Sequence, residues 1–257
     1  MILGFDHVIF LVAEAEGLEA AAEGFAAMGF TITDRDDEGK LEAATAQKLI
    51  CFADGSYIEI LAIRDAKARQ RHRFAHLLAM GDGWADHTVH TDDLEALRQR
   101  LEQQAMPYSG PHQHERRLRS GGPWGVSLLL PGIGAGHPAL PFLLQDTAGR
   151  ELRIPADGIQ HANGVTGTAG VAVSVRDIEV AAPQFAALFG DGQALVPGLH
   201  GPGRGRRFAV GRHWLDVLEQ PDDSGVEGMR SLFLTRPGAD GTLWLGAGRQ
   251  SLAMIAD

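Results

Sequence analysis

The sequence predicts an α+β fold built from repeated βαβββ units, and three observations carry that prediction. Short apolar runs rich in β-branched and aromatic residues alternate with glycines and prolines, as in a strand-rich chain with many turns. Single helical segments are set apart by groups of short strands. The order strand, helix, three strands returns at intervals of roughly sixty residues, which marks an internal repeat. A lone unit leaves one sheet face open, so copies are expected to pair side by side. Four units, the last degenerate, then form two cup-shaped mixed sheets with helices outside.

The first unit opens on Phe5-Asp6-His7-Val8-Ile9-Phe10-Leu11-Val12, a strand, followed by a helix over 18–28 that Gly29 closes. Strands follow over 30–34, 46–53 and 56–63, the last two joined at Asp54-Gly55, a hairpin signal. A charged segment, 64–80, reads as a connecting helix. The second unit has a strand over 86–91 and a helix reaching about Ala105, with Leu94, Leu97 and Leu101 at helical spacing. Its strands are expected near 116–119, 125–130 and 140–146. The third unit has a strand over 171–175 and a helix to Phe189 whose start Pro183 should delay. Its remaining strands fall at 193–196, 207–210 and 214–218. The fourth has room only for strands at 229–235, 242–245 and 251–255. The chain divides into halves at 1–148 and 168–257, with 149–167 as linker.

Composition limits the function. The 257 residues carry a net charge of -10, which disfavours nucleic acid and a basic membrane face. The single cysteine, Cys51, lies in an apolar strand, so an internal disulfide and a multi-cysteine zinc site are both ruled out. Without a signal-peptide pattern or a membrane-length apolar run, a cytoplasmic protein is expected.

Among candidate site residues, Glu59 interrupts the apolar run Tyr57-Ile58-Glu59-Ile60-Leu61. A carboxylate there faces a cavity or has a partner, because burying it alone is costly. His7 sits on the first strand of the same unit. Arg116, Arg117 and Arg119, beside Gly121-Gly122, offer an anionic substrate group a contact or simply blunt a strand edge. His161 and Asn163 read best as a turn between the halves.

The motifs Phe5-Asp6-His7-Val8 and Ser56-Tyr57-Ile58-Glu59-Ile60-Leu61 resemble the opening and closing strands of the vicinal oxygen chelate superfamily. Asp54 to Glu59, Leu140-Pro141-Phe142 and His161-Ala162-Asn163-Gly164 are similar to its glyoxalase-like domain group. The stretch Lys40-Leu41-Glu42-Ala43-Ala44-Thr45 departs from that group, which commonly has a His- and Gly-rich approach to its third strand. The resemblance implies a cup in which the first and last strands of two units each give one ligand to a divalent metal (Zn, Fe, Mn, Ni or Co). Carried over by position, the ligands are His7 and Glu59 from the first unit and His87 and Gln145 from the second, with Glu59 also moving a proton.

Matching Asp6-His7 to Asp86-His87 turns His87 into the cup and His90 under the helix, whereas a one-residue shift reverses both. His7, His87 and Glu59 would together suit non-haem iron if geometry permits. The second half has Gly170 and Asp216 at the matching places, and Ser251 and Ala253 in the last unit, so it is expected to be structural. Two functions are expected. One is a metal-dependent isomerase, lyase or dioxygenase acting on a small oxygenated substrate. The other is a metal-free small-molecule binding or sequestering protein of the bleomycin-resistance type, its pocket lined by Tyr57, Trp84, Trp124 and Phe142. Either works as a single chain or as a homodimer.

Overall fold

The β-branched run near the N-terminus forms β1 (Ile2–Val12), the strand on which the first half is assembled. Then come α1 (Leu18–Ala27), β2 (Thr45–Cys51), β3 (Tyr57–Ile63), α2 (Ala66–Arg71) and α3 (Ala75–Leu78). The second unit supplies β4 (Gly83–Thr91), α4 (Leu94–Gln103), β5 (Ser109–Arg117), β6 (Pro123–Leu130) and β7 (Phe142–Ala148), and α5 (Arg150–Arg153) follows. The second half holds β8 (Gly167–Val175), α6 (Ile178–Phe189), β9 (Gln193–Ala194), β10 (Gly205–Val210) and β11 (His213–Glu219). It ends with β12 (Gly228–Thr235), β13 (Leu243–Leu245) and β14 (Met254–Ala256). This computed structural model describes residues 1–39, 43–134, 136–195, 204–220 and 227–238, with the backbone of 243–245 and 254–256.

Two seven-stranded mixed sheets result, ordered β2-β3-β1-β4-β7-β6-β5 and β14-β13-β12-β8-β11-β10-β9. In the first, β1 runs parallel to β3 and antiparallel to β4, and β4 runs parallel to β7, so the two units meet at β1 and β4. The expected two-sheet α+β architecture is the one observed.

Alternation along the strands decides which face is which. Phe5, Val8, Phe10 and Val12 bury toward α1, packing with Leu18, Ala22 and Phe25, which fall on one helix face. Ile9 and Leu11 point to the opposite face, where Leu61, Ile63 and Phe74 meet them. The helix-side core is continuous through both halves, taking in Val89, Val171 and Leu232. Asp93 and Asp177 cap α4 and α6 by accepting from Ala96 N and Glu179 N, which satisfies otherwise orphaned N–H groups. Gly4 is required at its place, because a Cβ there would lie 2.8 Å from the His213 ring, and His213 Nδ1 accepts Phe5 N from across the halves.

Several expected elements differ. The strand over 30–34 reduces to one bridge between Thr33 and Leu49, because the segment beyond it is drawn across to the second unit. There Arg35 holds Asp37, which also accepts from Trp124 Nε1. The single helix over 64–80 is broken: His72 takes an extended backbone (ψ 144°) and ends α2. Pro183 lies inside α6 rather than delaying its start. The buried face Ile178, Ala181, Ala182, Phe185 and Leu188 offsets the backbone bond that proline removes. α5 falls in the stretch read as linker. Residues 40–42, Val196, Thr242 and the parts of the last predicted strand that include Ser251 and Ala253 lie outside the described residues.

Candidate active site

His7 owes its position to an irregularity in β1. Phe5 pairs with Val89 and His7 with Thr88, so Asp6 is an extra residue in the ladder. The bulge lets two neighbouring side chains meet: His7 Nδ1 lies 2.8 Å from Asp6 Oδ1. A carboxylate there takes the Nδ1–H, which leaves the lone pair on Nε2. That nitrogen points into the cup, 3.7 Å from Glu59 Oε2 and 3.2 Å from Thr88 Oγ1. Tyr57, the residue paired with His7 on β3, stacks on the imidazole at 4.7 Å. Glu59 is paired with Ile9 one step along the same strands and keeps 21% of its side chain exposed, enough to reach a ligand.

Asp6 is itself fixed from below. Burial would raise its pKa, but Arg153 and His7 outweigh that and hold it well below the usual carboxylate range. Arg153 is 2% exposed and grips Asp6 through both terminal nitrogens, at 2.8 and 2.7 Å. It also donates to Asp146 at 2.7 Å and to Tyr57 Oη at 3.0 Å. Arg150 bridges the same two carboxylates at 2.8 and 2.6 Å. Two arginines from one short helix thus neutralise two carboxylates under the cup floor.

Asp6, His90 and Asp146 place donor atoms within 4.8 Å of one another. Their oxygens are already committed. Both Asp6 oxygens and both Asp146 oxygens accept from guanidinium groups, and His90 Nε2 lies 3.1 Å from Asp146 Oδ2. Two positive guanidiniums at contact distance oppose a divalent cation, so this cluster is an ion-pair network.

Above it lies a cavity of about 790 Å³, large enough for a small organic molecule. Its walls include His7, Tyr57, Glu59, Trp124, Phe142 and Arg73. For a divalent metal the first unit fits. His7 has the carboxylate-anchored imidazole that metal ligands use, and Glu59 is beside it. The second unit does not complete the shell. The cup-facing residues of β4 and β7 paired alongside are Thr88, Phe142 and Leu144, and the Asp86 carboxylate accepts from Arg73 instead.

His87 and Gln145, expected as ligands, face away from the cup. On β4 the extra residue is Ala85, so Asp86, Thr88 and His90 face the cup side of the sheet while His87 turns inward against Phe5. The Asp-His match failed because the bulges of β1 and β4 lie at different places. The non-haem iron set of His7, His87 and Glu59 is therefore not assembled. Gln145 holds the start of α4, its Oε1 accepting Leu94 N and its Nε2 donating to the Asp92 carbonyl. On β7 it is Asp146, one residue on, that shares the cup side with Phe142 and Leu144.

The remaining expected contacts divide. Tyr57, Trp124 and Phe142 line the cavity, whereas Trp84 packs edge-on against Phe10 and Phe25 in the helix-side core. Of the arginine patch, Arg116 lies on the cavity wall, whereas Arg117 and Arg119 are exposed and lie outside it, Arg119 facing Asp36 at 3.9 Å. His161 and Asn163 form the turn that ties the halves together, bonding to Thr31 N and the Met28 carbonyl. In the second half, β8 and β11 repeat the register of β1 and β3, placing Gly170 opposite Trp214 and Ala172 opposite Asp216. Trp214 lies so close over Gly170 that a Cβ would meet its ring at 2.2 Å, and Arg207 clamps Asp216 at 2.7 and 2.8 Å. That position is filled and neutralised.

Sequence reasoning missed Arg73, Arg150 and Arg153. Arg73 lies at the helix break, and the other two in a supposed linker, so neither periodicity nor motif spacing singled them out.

A hypothetical protein from Staphylococcus aureus shares the fold across 97% of both chains, at 16% identity and a TM-score of 0.70. A xylose isomerase-like TIM barrel/4-hydroxyphenylpyruvate dioxygenase fusion protein matches 90% of this chain and 35% of its own, at 14% identity and a TM-score of 0.56. No curated protein matches by sequence. Residues 5–189, a stretch that holds the whole first-half cup, match the glyoxalase-like domain, and the chain belongs to that family.

Proposed function

We propose that the first-half cup is the active site of a glyoxalase-like enzyme acting on a small oxygenated substrate, with a divalent cation held by His7 and Glu59. The observation that carries this reading is the Asp6–His7–Glu59 line, an imidazole locked at Nδ1 and presenting Nε2 beside a carboxylate in a cavity. Substrate oxygens would take the places for which the second unit has no donors. The ion, when bound, supplies Lewis-acid polarisation of a substrate oxygen.

The protein's own groups do the rest. Asp6 fixes the ring orientation of His7, Tyr57 holds its plane, and the apolar wall of Ile9, Leu61 and Leu144 limits water. Glu59, partly exposed, is placed to take a proton from carbon beside a polarised carbonyl, so isomerase or lyase chemistry is favoured. With the two-histidine iron set unassembled, oxygenation is the less supported reaction. Metal-free binding is the second reading, and Arg73 favours it, because its guanidinium already compensates Asp86 within the cup.

Metal analysis of the purified protein separates the two. Stoichiometric divalent metal, lost in both His7→Ala and Glu59→Gln, supports the enzyme. Metal-free protein that still binds a small aromatic ligand in this cup overturns it.

A further inference from the structure

Arg73 is a charged group on the cup wall, as are Lys48, Arg64 and Arg116, and it is the one packed over the aromatic ring of Phe142. It comes from the break between α2 and α3 and places its guanidinium carbon 3.3 Å from the centroid of the Phe142 ring and 4.0 Å from that of Phe74. Only Nη1 has a hydrogen-bond partner among the described residues, the carboxylate of Asp86. Nε and Nη2 have none, although the side chain is only 24% exposed and lines the cavity. A desolvated guanidinium with open donors is a strong receptor for a planar anion.

Position and charge define the anion further. His7 pairs with Thr88, and Thr88 with Phe142, so the ring beneath Arg73 stands two strand spacings, about 10 Å, from the His7 backbone. The anion is therefore a second group, separated by a few carbons from the oxygens that reach His7 and Glu59. With a divalent ion at His7 and Glu59, the charges of the ion, Arg73, Glu59 and Asp86 leave one net positive charge. One carboxylate balances it, whereas a phosphate dianion overshoots beside two acidic side chains.

We propose that Arg73 is the specificity-determining anchor for a substrate carboxylate, making the substrate class a short carboxylic acid that carries a carbonyl or hydroxyl a few carbons away. This deepens the enzyme reading of the cup and rests on it for the charge balance. The test compares 4-oxopentanoate with its neutral amide, by NMR titration of the full chain with and without Mn²⁺.

Wild-type protein should prefer the acid over the amide by about tenfold or more. Arg73→Met should abolish that preference while leaving amide binding and Mn²⁺ uptake in place. Arg73→Lys keeps a cation beside Asp86, guarding against misfolding, and should recover only part of the preference because it lacks the planar fork. No preference in the wild type, or an undiminished one in Arg73→Met, overturns the anchor. Failure of the metal reading shows separately, as absent Mn²⁺ uptake or uptake indifferent to His7→Ala. An Arg73-dependent acid preference in metal-free protein would still uphold the anchor.

Discussion

His87 should make the protein sensitive to mild acid, and replacing it with leucine should remove that sensitivity. The imidazole is 1% exposed, edge-on to Phe5, and neither ring nitrogen has a hydrogen-bond partner among the described residues. Burial, aided by Arg73 and opposed by Asp86 at 3.7 Å, pulls its pKa from 6.5 down to about 4. The folded state thus favours the neutral ring. Stability is complete above the unfolded pKa, near 6.5, and is lost as the pH falls from there toward 4, because only the unfolded chain takes up the proton. At about 1.4 kcal/mol per pH unit, that interval costs the wild type on the order of 3 kcal/mol.

His87→Leu removes the titration together with two unsatisfied nitrogens worth roughly 1–3 kcal/mol, less the cost of an imperfect fit. The variant should therefore be at least about as stable as wild type at neutral pH, and the gap should widen by about 3 kcal/mol by pH 4. Urea unfolding followed by tryptophan fluorescence at pH 7, 5.5 and 4 measures this. Parallel stability profiles for the two proteins would refute the assignment of His87 to the dry core.

Other substitutions separate structural roles from ligand roles. Arg153→Met leaves Asp6 and Asp146 without their main buried partner and should cost about 3–5 kcal/mol in a thermal or urea melt. Gln145→Leu breaks the bond to Leu94 N and should cost about 1 kcal/mol, with metal and ligand binding untouched. A metal affinity that fell with Gln145→Leu would return it to the ligand shell. Asp6→Asn frees the His7 ring and should weaken metal binding by about 10–100-fold while the cup stays folded.

How much of this could be read in advance depends on what each residue's position rests on. Strand alternation within one unit is a local property, so Tyr57, Glu59 and Leu61 were legible as one face, and the Asp-His opening pointed to His7. The second unit was misread because facing there depends on where each strand takes its extra residue. Leu3 and Asp6 are the extra residues in β1 and Ala85 the one in β4, and nothing in the composition of either strand announces them. The helix break at His72 has no glycine or proline to mark it, so the residue it delivers, Arg73, passed unnoticed. Arg150 and Arg153 act over more than 140 residues of sequence separation, on Asp6, and only the folded chain brings them there.

His7 and Glu59 are the proposed reacting centre of the first-half cup. Anomalous scattering from Mn²⁺-soaked crystals tests it most directly. A peak is expected within bonding distance, about 2.2 Å, of both His7 Nε2 and the Glu59 carboxylate. A peak at Asp6, His90 and Asp146 instead, or none in the cup at saturating Mn²⁺, would contradict it.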